Sequence, residues 1–373
     1  MAIEAQRFPN KGNPLIPPEE EELIVELPEE DPTAGGVEFQ VGQNGEMLPM
    51  AEMTDTQDGE HNVNLANVLD ENALREISSE LVGAFEEDKE SREEWLTTFA
   101  NGLDLLGIKS EERDMPFPGA SGVTHPLLAE AATQFQAQAY KELLPANGPV
   151  NTKIVGAESP ETMAQCQRVK EFMNYQITEV MEEYDPDMDS LLFYLPLAGS
   201  AFKKVFFDSL LGRATSAFVK AEDLVVSYDT TNLETSPRIS HILNMTGNDI
   251  RKMQLNGIYR DIEIGSPGEV SLDDAKDKMD ELQGLSKPTS DYTEYTLIEI
   301  HVNLELDDID QYDYGVPYIV TILEDSGEIL SIRRNWDQGD ELFRKKEYFI
   351  HYKFLPGLGF YGFGLIHMIG GLT

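Results

Sequence analysis

The sequence changes its periodicity within the stretch AFKKVFFDSLLGRATSAFVK, residues 201 to 220. Before this stretch, apolar residues recur at steps of three and four, which is typical of helices. Inside it, two runs of strand-forming residues flank a turn at residues 209–213, and this arrangement predicts a β-hairpin. Helices followed by strands indicate an α+β fold. The downstream sequence predicts further strands at residues 224–228, 239–244, 296–306, 318–323, 328–335 and 348–354.

Capping and breaking residues divide the helical part of the sequence. A helical stretch is predicted over residues 70–106, with Asp70 as N-cap and a break near Gly83. A later helix is predicted over residues 159–184, because Ser159 suits the N-cap and a proline follows it in the first turn. The remaining local predictions are a helix at 124–144, a strand at 150–155, a helix from 187 through Pro196, a helix at 246–257 and a short helix at 272–282.

The charge of the chain is strongly acidic. It has 28 Lys and Arg against 69 Asp and Glu, a formal net charge of -41. Binding to nucleic acid through a broad basic patch is excluded, because phosphate contacts need Lys and Arg to displace counterions. Two interpretations stay open: an ordinary solvated acidic surface, or a surface that stays close to DNA without binding it.

Cys166 is the only cysteine. A disulfide within the chain and a cysteine-rich metal site are therefore excluded, and a reducing compartment is indicated. Its place in a helical pattern predicts a small, buried, apolar side chain. No apolar run is long enough to cross a bilayer, so no membrane association is expected.

The two ends of the sequence carry their own expectations. Residues 1 to 65 are rich in proline and acidic residues, which predicts a disordered or partner-bound arm. At the other end, Leu365–Ile369 has the pattern of a helix that is just beginning. We therefore expect the chain to be a truncated part of a longer protein.

We find no sequence motif that assigns a catalytic, cofactor-binding or metal-binding residue. The glycine-rich run at residues 357–364 lacks the spacing of a phosphate loop, and its glycines predict a closely packed turn before a helix. The aspartates at residues 307–313 could hold a hard cation, but a solvated loop is the favoured interpretation. An acidic hydrolase is a remote alternative to a protein without enzymatic activity, and its candidate carboxylates are Asp185, Asp187 and Asp189.

Seven basic residues form the local exceptions in this acidic chain. They either form ion pairs within the protein or contact DNA or a neighbouring copy of the chain. These candidates are Lys203, Lys204, Arg333, Arg334, Arg344, Lys345 and Lys346.

Several segments in a specific order resemble the portal proteins of short-tailed bacteriophages. The resemblance extends over residues 70 to 373, roughly the N-terminal half of such a protein. The segments that carry it are the loop-to-helix run FPGASGVTHPLL at 117–128, GSAFKKV at 199–205, LVVSYD at 224–229 with LETSPRI at 233–239, the strand at 295–306, and FLPGLGFYGFGL at 354–365.

The resemblance implies a portal-type α+β fold and a set of regions. Residues 66–245 would form a helical and strand-rich wing, and residues 246–294 the first stem helix with a connecting loop. Residues 295–355 would form a small strand-rich clip, and residues 356–373 would start the second stem helix. The acidic arm has no counterpart in the resemblance.

The resemblance also implies a function and partners. Portal subunits form a homo-oligomeric ring, commonly a dodecamer, at one capsid vertex of the virion, and they assemble in the bacterial cytoplasm. Double-stranded DNA passes through the ring without specific binding during packaging and ejection. The implied partners are further copies of the chain, the terminase large subunit, a tail adaptor protein and the major capsid protein. The main alternative is another virion or scaffold component without a channel.

Overall fold

The computed structural model describes residues 39–41, 47–49, 61–106, 117, 126–208, 210–266, 274–285, 294–306, 309–310, 314–357 and 359–369. It comprises two compact units, Met1–Thr56 and Gln57–Thr373. In the first unit, strands β1 (Phe39–Val41) and β2 (Met47–Pro49) form an antiparallel pair. Apart from these two strands, residues 1–60 of the predicted disordered arm lie outside the described residues. The proline and glycine loop at 116–122 also lies outside them, apart from Phe117.

The second unit contains helices and antiparallel sheets, which confirms the α+β class. Within the described part of the chain, no helix is both long enough and apolar enough to cross a membrane. In chain order the helices are α1 (Glu71–Ser91), α2 (Glu93–Leu103), α3 (Leu127–Leu143), α4 (Pro160–Tyr175), α5 (Tyr184–Ala198), α6 (Gly247–Leu255), α7 (Asp274–Gln283) and α8 (Leu365–Ile369).

Two sheets accompany these helices. A three-stranded sheet has the order β10–β3–β4, and a five-stranded sheet has the order β5–β6–β7–β8–β9. The strands are β3 (Ser200–Asp208), β4 (Arg213–Val219), β5 (Leu224–Val226), β6 (Arg238–Thr246), β7 (Glu294–Leu304), β8 (Val316–Leu323), β9 (Ile329–Arg334) and β10 (Phe349–Lys353).

Both sheets combine strands that lie on either side of the expected boundary at residue 295. Strand β6 pairs with β7 from Arg238 opposite Val302 to Thr246 opposite Glu294. Strand β10 pairs with β3, with Phe349 opposite Lys204. The segments expected as wing and clip therefore share sheets. Residues 61–65, expected to end the arm, pack on the five-stranded sheet, where Asn64 donates to the Leu330 carbonyl at 3.0 Å.

Three hydrophobic clusters fill the second unit. The largest packs α2, α3 and α5 against the three-stranded sheet and contains Phe99 and Phe202. The second packs α1 on one face of the five-stranded sheet and contains Phe85 and Ile300. The third packs α6 on the opposite face and contains Leu297. The period-two alternation along β7 thus serves two cores, because neighbouring strand residues point to opposite faces.

Three helix starts follow from their capping residues. The Asp70 carboxylate accepts from the Asn72 amide at 3.3 Å, and Thr246 caps α6 by accepting from the Asp249 amide at 3.3 Å. Ser159 and Thr162 form a reciprocal capping box at the start of α4, as the Ser159–Pro160 pair suggested. The hairpin at residues 200–219 also forms with the expected antiparallel register.

Three local predictions were wrong. The break in the first helical stretch lies at Arg92, because its buried guanidinium is anchored to the Ala221 and Leu224 carbonyls at 2.7 and 2.9 Å. Residues 150–155 are not a strand, since Val150 pairs with the side-chain amide of Asn174. Cys166 is partly exposed and not buried.

The glycine-rich run at 357–364 forms the closely packed turn that its sequence predicted. Gly199 ends α5 in the left-handed region, with φ +85°. The backbones of Gly362 and Gly364 lie against Gly199 and Leu197, so a Cβ atom at either position would overlap backbone atoms. The Gly362 amide also donates to the Ser200 hydroxyl at 2.8 Å. This contact positions α8 beneath the end of α5.

The glycine contact can be tested with a matched pair of substitutions. We expect Gly364→Ala to lower the free energy of unfolding by about 1–3 kcal/mol, because the added methyl group meets the Leu197 carbonyl. Gly359→Ala is the control, because nothing lies within 4 Å of its Cβ position. Urea denaturation measures both variants, and equal stabilities would contradict the packed turn.

Candidate functional site

The two lysines of strand β3 point to opposite faces of the sheet, as neighbouring strand residues do. Lys203 is 1% exposed, and its ammonium lies 4.1 Å from the ring centre of Tyr184 on α5. Its Nζ atom has no hydrogen-bond partner among the described residues. Burial lowers the pKa of Lys203, while the nearby carboxylates of Asp187 and Glu183 oppose that shift.

Lys204 lies in a buried polar cluster between the two sheets. Its ammonium donates to both carboxylate oxygens of Glu299 on β7, at 2.7 and 2.8 Å. The Nε2 atom of His301 lies 2.8 Å from the same carboxylate, and His241 on β6 completes the cluster. Phe349 on β10 packs its ring against the edges of both imidazoles.

Burial and the neighbouring charges shift the protonation of this cluster. Burial alone would raise the pKa of Glu299, but the Lys204 ammonium and the hydrogen bond with His301 hold that pKa well below its usual range. Burial lowers the pKa of His241 to about 3, and the Lys204 charge contributes to the same shift. The cluster therefore holds one ion pair and neutral imidazoles at neutral pH.

The two arginines of β9 have partners within the chain. Arg334 donates to both oxygens of Asp310 at 2.8 and 2.9 Å, a bidentate arrangement that the planar guanidinium favours. Asp310 also accepts from the Tyr318 hydroxyl at 2.6 Å. Arg333 is partly buried and donates to the Ile258 carbonyl at 3.2 Å. The aspartate loop at 307–313 is described only at residues 309–310, where Asp310 serves this contact.

The last three basic candidates lie between β9 and β10. Arg344 pairs with Asp340 at 3.0 Å, and Lys346 pairs with Asp337 at 2.7 Å. Lys345 donates to the carbonyls of Leu233 and Glu234 at 2.9 and 3.1 Å. Beside Lys345 lies an open groove of about 440 Å³, which His301, Tyr314 and Leu342 also line.

The structure does not bring the seven basic residues together into one patch. Lys203 and Lys204 are buried inside the chain, so in this fold neither ammonium group is exposed to a neighbouring subunit or to DNA. Six of the seven have an ion-pair or hydrogen-bond partner within the protein, and Lys203 lies over an aromatic ring. Internal pairing is therefore the alternative that the geometry favours.

The carboxylates of the hydrolase alternative serve separate structural contacts. Asp185 accepts from the Tyr140 hydroxyl at 2.7 Å, and Asp189 accepts from the Gln136 amide at 2.8 Å, both on α3. Asp187 faces the other way and accepts from the Phe218 amide of β4 at 2.7 Å. Within the described ranges, no group of three or more His, Cys, Asp or Glu side chains could hold a metal ion.

A buried acidic site was missed by the sequence analysis. Glu222 is fully enclosed and accepts a short hydrogen bond from the Tyr194 hydroxyl. Burial, assisted by the charge of Asp223, raises the pKa of Glu222 to about 7. The Arg92 guanidinium donates to the Glu222 backbone carbonyl and thereby ties α1 and α2 to this turn. No motif signals the site, because its residues are far apart in the sequence.

The exterior contrasts with these buried groups. Helices α1 and α2 carry an acidic exposed surface. Eight of their glutamates are exposed, at positions 71, 76, 80, 86, 87, 90, 93 and 94. This acidic helix surface is the candidate functional surface of the protein.

The chain matches no model of a protein family, and the search of curated proteins found no match either.

The buried ion pair can be tested by removing one partner. We expect Lys204→Met to destabilise the protein by about 3–5 kcal/mol, because the Glu299 carboxylate would stay buried without its cation. Arg344→Met, which breaks an exposed pair, should leave the stability close to that of the wild type. Guanidinium denaturation gives both values. A Lys204→Met variant as stable as Arg344→Met would show that the Lys204–Glu299 ion pair does not stabilise the packing of the two sheets.

The raised pKa of Glu222 predicts a pH dependence of stability. The folded protein binds a proton on Glu222 up to about pH 7, whereas an unfolded glutamate releases it near 4.5. Stability from this group is therefore present below pH 4.5 and is lost as pH rises through 7. We expect Glu222→Gln to remove a decline of at most about 3 kcal/mol between pH 5 and 8. If the free energy of unfolding depended on pH in the same way in the wild type and in Glu222→Gln, the raised pKa of Glu222 would be contradicted.

Proposed function

We propose that this protein is a portal-type subunit of a bacteriophage virion. In this proposal, copies of the chain form a ring at one capsid vertex, and double-stranded DNA passes through the ring during packaging and ejection. The sequence resemblance over residues 70 to 373 motivates the proposal. The pairing of Lys204, Arg334 and Lys346 with carboxylates of the same acidic chain is the structural observation that supports it most.

The electrostatic argument concerns the wall of a channel. A conduit must not grip its cargo, and phosphate groups bind where Lys and Arg are available at the surface. Here Lys204, Arg334 and Lys346 are paired with carboxylates of the same chain. The exposed glutamates of α1 and α2 would repel phosphates at short range, because the Debye length is about 8 Å at physiological salt.

Further elements of the proposal follow from the resemblance. The strands from β7 to β10 would contribute to a clip that contacts the terminase large subunit and later a tail adaptor. Helix α8 would begin the second stem helix, and the major capsid protein would surround the wing. The principal alternative, a virion or scaffold component without a channel, shares the acidic surface but needs no ring.

Imaging of the purified full chain tests the ring. We expect negative-stain electron microscopy to show rings with a central hole wide enough for duplex DNA, and light scattering to give a mass near that of twelve subunits. A chain that stays monomeric over a wide concentration range would overturn the proposal. Assemblies without a hole would favour the structural alternative.

DNA binding provides an independent test. Because the chain carries a formal net charge of -41, we expect fluorescence anisotropy to detect no complex with duplex DNA at 200 mM salt, and only weak binding at 50 mM. A tight complex whose affinity falls steeply with salt concentration would contradict a passive channel and would indicate a DNA-binding protein.

A further inference from the structure

Strand β9 lies at one edge of the five-stranded sheet, with β8 on its inner side. The outer N–H and C=O groups of an edge strand have no partner within the sheet, and they can pair with a strand of another chain. Here residues 329–332 of β9 are nevertheless all buried. Another part of the same chain therefore covers this edge.

The cover is the short segment at residues 61–66, which we call the β9 strap. At its start, the Nε2 atom of His61 lies 3.1 Å from the Trp336 carbonyl oxygen, just beyond the end of β9. At its other end, Leu65 and Ala66 are buried and belong to the second hydrophobic cluster. The strap is thus fixed to the five-stranded sheet at both ends.

The side-chain amide of Asn64 joins the strap to the strand edge. Asn64 is 3% exposed. Its Nδ2 atom donates to the carbonyl oxygens of Leu330 at 3.0 Å and Ile258 at 3.2 Å. Its Oδ1 atom accepts from the amides of Ile332 at 3.0 Å and Ala66 at 3.1 Å. One side chain therefore offers β9 both a donor and an acceptor, as the backbone of a neighbouring strand would.

The four hydrogen bonds of Asn64 require a carboxamide. This group supplies two N–H donors and an oxygen with two lone pairs, and all four are used here. An ionised aspartate has nearly the same shape but only accepts, so it would direct negative charge at the carbonyl oxygens of Leu330 and Ile258. Alanine would leave the buried Ile332 amide without this acceptor, which is costly. Either substitution would weaken the attachment of the strap to β9.

We infer that the β9 strap protects the edge of the five-stranded sheet from strand addition, and that Asn64 holds the strap in place. When Asn64 is released, the Leu330 carbonyl and the Ile332 amide become available to a further strand. In a solution of the purified chain, that strand is β9 of a second copy, since two released edges can pair in the antiparallel direction. The inference does not depend on the proposed ring, because the edge is covered within one chain.

Hydrogen exchange of the full chain, followed by mass spectrometry, tests the role of Asn64. At low protein concentration, we expect Asn64→Asp to make the amides of a peptide spanning β9 exchange about tenfold faster or more than in the wild type, because the strap opens locally. Asn67→Asp is the matched control. It makes the same change at a neighbouring exposed position, and it should leave the exchange of β9 as in the wild type.

The central strand β7 provides an internal reference for folding. Its amides should exchange as slowly in Asn64→Asp as in the wild type, which would show that the sheet itself stays formed. Asn64→Ala removes the four side-chain hydrogen bonds without adding a charge, and it repeats the comparison if Asn64→Asp exposes β7. Fast exchange of β7 in both variants would overturn the inference, because Asn64 would then hold the whole sheet and not the strap alone.

Self-association tests what the strap prevents. We expect the mass of Asn64→Asp in light scattering to rise with concentration above the masses of the wild type and Asn67→Asp at the same concentrations. In the associated material the exchange of β9 should slow again, because pairing with a second strand protects the edge amides. This return of protection identifies β9 as the surface that the two copies share.

The outcomes separate this inference from the proposed function. Unchanged exchange of β9 in Asn64→Asp and Asn64→Ala would overturn the role of Asn64. Fast exchange without additional association, or association that leaves β9 exposed, would overturn the protective role of the strap. Rings formed equally by the wild type and Asn67→Asp bear on the proposed function alone. A monomeric wild type beside an associating Asn64→Asp would support the strap and overturn the ring.

Discussion

The ion pair between Lys204 and Glu299 joins the two sheets of the protein. Lys204 belongs to the three-stranded sheet and Glu299 to the five-stranded sheet, and both side chains are largely buried. A buried charge without a partner costs several kcal/mol, so the sheets can approach only in the arrangement that brings these two groups together. The imidazoles of His241 and His301 fill the remaining space, and the apolar clusters pack on either side. The pair therefore acts as a geometric constraint on the whole second unit.

The same constraint accounts for the distribution of charge. Several basic side chains of this acidic protein are committed to positions inside the fold: Lys204 to Glu299, Arg334 to Asp310, and Arg238 to Asp88. Carboxylates are far more numerous, so a large excess stays at the surface. The acidic exterior thus follows from the excess of 69 Asp and Glu over 28 Lys and Arg. It is also the property that a passive path for DNA requires, which links the stability of the fold to the proposed function.

Local structure was largely accessible from the sequence. The period-two runs and the caps at Asp70 and Ser159 formed as expected, because each depends on residues within a few positions. The errors arose where distant groups intervened. Arg92 interrupts a helix because carbonyls about 130 residues away accept its hydrogen bonds. Residues 150–155 form no strand, because the side-chain amide of Asn174 makes the hydrogen bonds to the Val150 backbone that a neighbouring strand would make.

The sequence by itself determined the α+β class, the acidic character, most element boundaries and the packed glycine turn before α8. Only the tertiary structure decided which charges meet. Lys204 reaches Glu299 across 95 residues, and Tyr194 reaches Glu222 from a different element. It also decided that α4, none of whose residues is buried, stays outside the hydrophobic clusters of the described residues. Periodicity records that a side chain is apolar or charged, but its partner depends on how separate elements pack, and that is a property of the whole chain.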